Sequence, residues 1–278
     1  MAYKTVFTAL TQPQDPARPL EYASELARTF DAHLDVMCLG VDRSHANYFE
    51  AGANAIILQE AIERARAQAQ DIETHVREKL GGNDIRWATT RAVAAATDVG
   101  TPVARLARFS DIAIAPLPYA EGRSTQDVLL VESLLLHAGC PTLCLPEGAP
   151  TDTPRSIVIG WNESGEALRA VRAAMPFIQA ANEIHITVVD PPNHGPDRSD
   201  PGGALAVMLS RYGVHADIQV MPKTGGRVGD TILRHVTDLD GDMIVMGGYG
   251  HSRFREAILG GATRHMLEHS NVPVLLAH

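Results

Sequence analysis

The chain has 278 residues, a length that favours two domains of ordinary size over one. Hydrophobic residues make up 45% and charged residues 21%, so a core can form without disulfides or structural metal ions. The formal net charge is −9 and no long lysine or arginine cluster is present, which argues against nucleic acid or an anionic membrane as a partner. The three cysteines are too few for a secreted disulfide framework, and we expect reduced core thiols.

The N-terminal segment has the composition of a first strand. Residues 1–8 contain one lysine and no long apolar stretch, unlike a signal peptide. The longest apolar run, 128–136, is interrupted by Glu132 and Ser133 and is too short for a membrane-spanning helix. We therefore expect a cytoplasmic protein without membrane contact.

The first half is predicted to begin with a strand over 5–10. A long amphipathic helix, rich in Ala, Glu, Arg and Gln, is predicted over 48–81. Buried strands are predicted over 111–117 and 141–145. The proline-rich segment 146–154 then marks a domain boundary near residue 150.

The second half alternates short apolar runs with segments of helical spacing. Strands are predicted over 157–161, 183–190, 215–221, 243–246 and 272–277. Helices are predicted over 166–179, 204–212, 229–239 and 263–269, and a glycine-rich loop occupies 247–261.

The two halves are predicted to be copies of one unit. Residues 136–145 align with 268–277 at an offset of 132, and 5–10 aligns with 156–161 at an offset of 151. The first copy therefore has about twenty extra residues in the region of its long helix. Continuous apolar strands separated by helices indicate a parallel sheet that is covered on both faces. The expected fold class is α/β, with two tandem Rossmann-like domains of about five strands each.

The glycine-rich loop is the motif with the clearest chemistry. From Gly247 the glycines follow the spacing G-x2-G-x9-G between a buried strand and a helix. Glycines let backbone amides approach phosphate oxygens, and a helix N-terminus favours anions, although the same pattern also occurs in tight turns. In open α/β sheets ligands bind outside the carboxyl ends of the strands, where the loops after Trp161, Asp190 and Met246 converge.

Residues 244–276 resemble the ATP-binding branch of the universal stress protein family. The resemblance rests on the glycine spacing and on the following Thr-Arg-His-Met-Leu-Glu-His-Ser-Asn-Val-Pro-Val-Leu-Leu, and it extends to the first strand, 157–162. It implies adenine nucleotide α-hydrolase-like domains: a degenerate one over 1–149 with an extra helical segment, and one over 150–278 with a phosphate loop. It also implies ATP or ADP as ligand, with Mg²⁺ arriving together with the nucleotide.

The resemblance assigns binding roles to individual residues. Asn162 takes the place of the acidic residue that ends the first strand near the adenosine, and Tyr249 either shields the ribose or covers the loop. The family has Ser or Thr directly after the third glycine, where this chain has Gly261, and losing that hydroxyl costs about 1–2 kcal/mol of phosphate binding. The expected nucleotide-binding residues are Gly160, Trp161, Asn162, Val189, Met246, Gly247, Tyr249, Gly250, His251, Gly260, Gly261 and Thr263.

Two other segments are not predicted to bind a ligand. In the first copy, residues 116–124 lack the glycine spacing and add two prolines and Glu121, so no phosphate site is expected there. His265 and His269 lie four residues apart on a helix, but without a third ligand we expect exposed histidines and no metal.

The leading functional hypothesis is a nucleotide-dependent sensor or regulator in the stress response, in which the ligand stabilises one conformation. No dedicated general base or nucleophile is evident near the loop, so at most slow ATP hydrolysis is expected. The main alternative is a scaffold without nucleotide, in which strands 141–145 and 273–277 pair the two halves and, as a second possibility, two chains. An ATP pyrophosphatase would need a Ser-Gly-Gly-x-Asp-Ser loop, which Asn162-Glu163-Ser164-Gly165 is not, and a redox flavoprotein is disfavoured.

Overall fold

The computed structural model describes residues 2–44, 54–191, 200–223, 226–249 and 261–278, with only the backbone for 54–57. The described elements of the first half are β1 (Thr5–Leu10), α1 (Pro19–Phe30), β2 (His33–Asp42), α2 (Asn54–Leu80), β3 (Arg86–Ala95), α3 (Gly100–Ala107), β4 (Ile112–Pro116), α4 (Thr125–Glu132) and β5 (Thr142–Leu145). Helix α4 continues into a π-helical turn over Ser133–His137. Of the predicted long helix, residues 48–53 lie outside the described residues.

The described elements of the second half are β6 (Ser156–Gly160), α5 (Gly165–Ala173), α6 (Met175–Ala180), β7 (Glu183–Val189), α7 (Gly203–Ser210), β8 (Asp217–Met221), α8 (Val228–Asp238), β9 (Met243–Gly247), α9 (Ala262–His269) and β10 (Val274–Ala277). The predicted single helix over 166–179 is wrong, because the chain forms two helices that meet at Ala174. Pro176 has no backbone N–H and cannot continue the hydrogen-bond ladder of α5, so it is placed in the first turn of α6.

The ten strands of the described residues form one sheet in the order β3-β2-β1-β4-β5-β10-β9-β6-β7-β8. Neighbouring strands are parallel within each half, whereas β5 and β10 pair antiparallel, with Leu143 opposite Leu275. The α/β fold class is confirmed, but the two expected sheets of five strands are joined into one. The pairing of the last strands of the two halves is likewise confirmed within the chain. Both edges of β5 and β10 are thereby used, so these strands offer no free edge for the predicted homodimer.

Helices cover both faces of this sheet. Helices α1, α2, α5, α6 and α7 pack on one face, through residues such as Ile72 and Phe177, and α3, α4, α8 and α9 pack on the other, through residues such as Val131 and Met266. The three cysteines are buried, and burial raises the pKa of each thiol to about 12, as expected of reduced core residues. Among the described residues no helix is both long and apolar enough to cross a membrane.

The extra residues of the first half belong to α2. This helix has 27 residues, whereas its counterpart α7 has 8. Its backbone lies directly on β2, because a Cβ atom at Gly40 would come within 1.8 Å of the Ala65 carbonyl oxygen. Glycine at this position therefore allows α2 to pass close over the carboxyl end of β2.

Candidate functional site

The crevice of the second half lies between the carboxyl ends of β6 and β9. Strand β6 pairs with β7 on one side and with β9 on the other, so the strand order reverses direction there. Ligands of doubly wound sheets bind at such a point. Gly160 and Met246 are register partners at this end, and a Cβ atom on Gly160 would lie 3.3 Å from the Met246 Cβ. The structure therefore brings together two of the predicted nucleotide-binding residues, one expected beside the adenine and one below the phosphate loop.

The turn after β6 uses its polar side chains to start α5. The Trp161 N–H donates to the Thr187 carbonyl oxygen at 2.9 Å and fixes the chain against β7. The Asn162 Oδ1 accepts from the Ser164 N–H at 3.2 Å, and the Ser164 Oγ accepts from the Ala167 N–H at 3.1 Å. Asn162 is exposed at the place predicted for an adenosine contact, but its side-chain oxygen already accepts this hydrogen bond within the turn.

Gly247 lies against the first turn of α5. A Cβ atom at this position would be 2.7 Å from the Ala167 backbone N and 2.9 Å from the Glu166 Cβ. Close packing of α5 on β9 thus requires the first glycine of the motif, independently of any ligand. The side chain of Glu166 accepts a hydrogen bond from the Glu166 backbone N–H, and this bond lowers the pKa of the carboxyl group. Arg169 and the Ser164 hydroxyl lower it further, whereas partial burial acts in the opposite direction. The ionised carboxylate is balanced by the Arg169 Nη2 at 3.0 Å.

The chain around the glycine-rich loop is described at both of its ends. Tyr249 has a left-handed backbone, with φ of 56°, and its N–H donates to the Thr263 Oγ1 at 3.2 Å. This bond places the N-terminus of α9 beside the carboxyl end of β9. Gly261 is the N-cap of α9, with no side-chain cap bond, and the first turn contains no acidic residue. Three predicted residues of the motif, Gly250, His251 and Gly260, lie outside the described residues.

The remaining predicted residues pack into the cores on the two faces of the sheet. Met246 is buried in the core on the α8 and α9 face, and half-buried Val189 ends β7 and packs against the same core. Trp161 packs instead against the core on the opposite face. Tyr249 is buried as well, with 9% of its surface exposed.

His265 is buried, so the expectation of an exposed histidine is wrong for this residue. Its Nε2 lies 2.6 Å from the Asp230 Oδ1, and its Nδ1 lies 3.3 Å from the Arg227 Nη1. The ring stacks on His269 with centroids 4.3 Å apart. Glu268 offers a third possible metal ligand beside the two histidines, but the cationic guanidinium of Arg227 lies against the His265 ring.

Arg227 and Asp230 are not among the residues predicted from the sequence. The backbone N–H of Arg227 donates to the Asp230 Oδ2 at 2.9 Å at the start of α8. This bond, together with His265, lowers the pKa of Asp230. An acidic residue three positions after a helix start is a capping signal that was available in the sequence.

In the first half, side chains fill the corresponding crevice between β1 and β4. Arg123 and Asp15 form an ion pair between the carboxyl ends of these strands, and the cavity there measures about 10 Å³. A second cavity of about 470 Å³, also lined by Asp15, opens beside it toward α1 and α2. Gln68 of α2 donates from Nε2 to the Thr11 carbonyl oxygen at 2.6 Å and accepts the Val41 N–H at 3.0 Å. The cavity between β1 and β4 holds about one water molecule, so a nucleotide does not fit between these two strands.

Residues 154–278 match the sequence model of the Universal stress protein family. The second half of the chain is therefore similar to universal stress proteins. The universal stress protein Slr1230 of Synechocystis sp. is 24% identical over 136 residues, which make up 49% of this chain and 46% of that protein. The match thus spans about half the length of this curated relative.

Solved universal stress proteins also resemble the chain as a whole. A universal stress protein from Archaeoglobus fulgidus matches 98% of this chain and 97% of its own, with a TM-score of 0.72 and 14% identity. A putative universal stress protein from Pseudomonas aeruginosa matches 99% of this chain and 93% of its own, with a TM-score of 0.62 and 16% identity. At these identities the likeness shows that the fold is shared over both halves.

Proposed function

We propose that the C-terminal half, residues 150–278, binds ATP or ADP and acts as a nucleotide-dependent sensor or regulator in the stress response. The N-terminal half, residues 1–149, is then a degenerate copy without nucleotide. Mg²⁺ accompanies the nucleotide phosphates, and the cytoplasm is the proposed compartment.

The observation that carries this proposal is the position of α9. Its N-terminus begins beside the carboxyl end of β9, where the strand order reverses, and Gly261 caps it without a side chain. When no side chain accepts the first backbone N–H groups of a helix, these groups attract phosphate, and no carboxylate in the first turn of α9 opposes this attraction. Thr263 has a hydroxyl in this turn, at the position that the family resemblance assigns to phosphate binding. The donors at this end of the sheet therefore fit a nucleoside phosphate.

Regulation by binding fits these residues better than catalysis. In the described part of the crevice, Glu166 is paired with Arg169, and His265 lies beside Asp230 and Arg227. Both groups thus already have a charged neighbour, which does not favour a role as general base. A ligand that binds one conformation more tightly than another shifts the population toward it, which is sufficient for a sensor.

A scaffold that binds no nucleotide is the second candidate, and specific contacts favour it. The Asn162 Oδ1 and the Thr263 Oγ1 each accept a backbone N–H, and Gly247 is required by packing. The antiparallel pairing of β5 with β10 joins the halves without any ligand.

Thermal unfolding with and without millimolar ATP and Mg²⁺ separates the two candidates. A ligand at a hundred times its Kd adds roughly 2.7 kcal/mol to the stability of the state that binds it, so we expect the Tm to rise by several degrees. Gly250→Val, which alters the second glycine of the motif, should abolish the rise. Gly82→Val is the matched control, because a Cβ atom at Gly82 would meet nothing within 4 Å. If ATP leaves the wild-type Tm unchanged, the scaffold is the function.

A further inference from the structure

Tyr119 lies in the first half, in the loop between β4 and α4 that corresponds to the glycine-rich loop of the second half. Its ring is half-buried and packs against the core on the α8 and α9 face. Burial raises the pKa of this phenol, which is therefore neutral at physiological pH and able to donate a hydrogen bond.

The side chain of Tyr119 contacts two residues of the second half. It packs in the same core as Tyr249, and interaction with the Tyr249 side chain lowers the pKa of its phenol against the larger opposing effect of burial. The Arg264 Cζ lies 5.1 Å above the centroid of its ring, within the range of a cation–π contact. A hydrogen bond of 2.7 Å between the Arg264 Nε and the Glu268 Oε1 holds the guanidinium in this orientation.

These two contacts involve residues at the two ends of the glycine-rich loop. Tyr249 lies two residues after β9 ends, and Arg264 belongs to the first turn of α9. The bond from the Tyr249 N–H to the Thr263 Oγ1 connects the same two segments within the second half. One side chain of the first half thus touches both segments whose relative position sets the geometry of the site.

We infer that Tyr119 is a positioning residue for the nucleotide site of the opposite half. The inference rests on the proposed function. A site whose groups are held in place before binding loses less conformational freedom when the ligand arrives, and so binds more tightly. The degenerate half then contributes to nucleotide affinity across the β5–β10 seam, although its own crevice between β1 and β4 is filled by side chains.

Calorimetric titration of the full chain with ATP and Mg²⁺ tests this role. Tyr119→Leu removes both contacts and is expected to raise the Kd by about three- to tenfold, with little change in the Tm of the ligand-free protein. Tyr119→Phe keeps the ring beneath Arg264 and is expected to restore most of the affinity. A side chain that only packs would lower the Tm without this selective effect on the Kd.

Tyr3 provides the matched control for a contact between the halves. Its hydroxyl donates to the Ala173 carbonyl oxygen at 2.6 Å, and its ring packs on Phe177, at the amino ends of the strands. Tyr3→Leu should therefore lower the Tm and leave the Kd unchanged. If the wild type binds ATP and Tyr119→Leu binds it equally well, the inference is overturned while the proposed function stands. If the wild type does not bind ATP, both are overturned.

Discussion

Arg123 and Asp15 form a bidentate ion pair, with the Nη1 atom 2.5 Å from Oδ2 and the Nη2 atom 2.6 Å from Oδ1. Both side chains are only 10% exposed, and Asp127 lies 3.9 Å from the same guanidinium. The pair occupies the crevice that corresponds to the proposed nucleotide site of the other half. The chain thus places its own carboxylate and guanidinium between β1 and β4, where the cavity measures only about 10 Å³.

Loss of the Arg123 guanidinium should strongly destabilise the protein. Arg123→Met leaves Asp15 as a largely buried charge without its partner, which costs about 3 kcal/mol. The free energy of unfolding is measured by urea denaturation. Arg18→Met is the matched control, because the Arg18–Glu21 pair is about half exposed, at 49% and 47%, and should change stability by less than about 1 kcal/mol. Equal effects of the two substitutions would contradict a structural role for the buried pair.

The same ion pair should make the protein sensitive to acid. Burial acts to raise the pKa of Asp15, but the hydrogen bonds from Arg123 and the Ala17 N–H, with the guanidinium charge, hold it below the usual 3.8. Because the folded-state pKa is lowered, the stabilisation is complete above the unfolded-state pKa and is lost as the pH falls through the folded value. The stability difference between the wild type and Asp15→Asn should therefore be constant near neutral pH and shrink below about pH 4. A difference that persists unchanged at pH 2 would rule out this linkage.

Gln68 should be needed for the stability of the first half. Gln68→Leu removes the amide that bonds the Thr11 carbonyl and the Val41 N–H, leaving two partly buried backbone groups unpaired. The expected loss is about 1–3 kcal/mol, measured by chemical denaturation. Gln59→Leu changes an exposed glutamine on the same helix and should be nearly neutral. A neutral effect at both positions would show that the Gln68 bonds contribute nothing to stability.

The sequence predicts well the strands that are continuous apolar runs between turn signals, as in 243–246 and 157–161. The strands β2 and β3 were not predicted, and most residues of β3 are exposed or only partly buried. The sequence also does not predict the filled crevice of the first half. Asp15 and Arg123 are 108 positions apart, and Gln68 is 57 positions from Thr11, so no local spacing links them. The burial of His265 was missed for a related reason. A spacing of four residues shows that two histidines share a helix face, but not that α8 covers that face and presents Asp230 and Arg227 to the ring.

The two adjacent glycines at the end of β9 should respond differently to a methyl group. Gly247→Ala places a Cβ atom 2.7 Å from the Ala167 backbone N, so α5 must move, at a cost of about 2 kcal/mol or more. At Gly248 the nearest contact of a Cβ atom is the Leu276 Cβ at 3.5 Å, which is ordinary packing. Gly248→Ala is therefore the control and should keep the wild-type Tm. If both variants unfold at the wild-type temperature, α5 does not pack on Gly247 in solution.

A hydroxyl at position 261 should strengthen nucleotide binding. Gly261 has φ of −57° and ψ of 162°, a conformation that serine adopts readily at a helix N-cap. Gly261→Ser supplies a donor to a phosphate oxygen where the family has Ser or Thr, and we expect the Kd for ATP to fall by about tenfold. The ligand-free protein should gain only a few tenths of a kcal/mol from the better cap. Gly261→Ala adds a methyl group without a hydroxyl and serves as the control in the same calorimetric titration. Tighter binding in the serine variant alone would indicate that a phosphate lies at the start of α9, whereas equal affinities in both variants would show that it lies elsewhere.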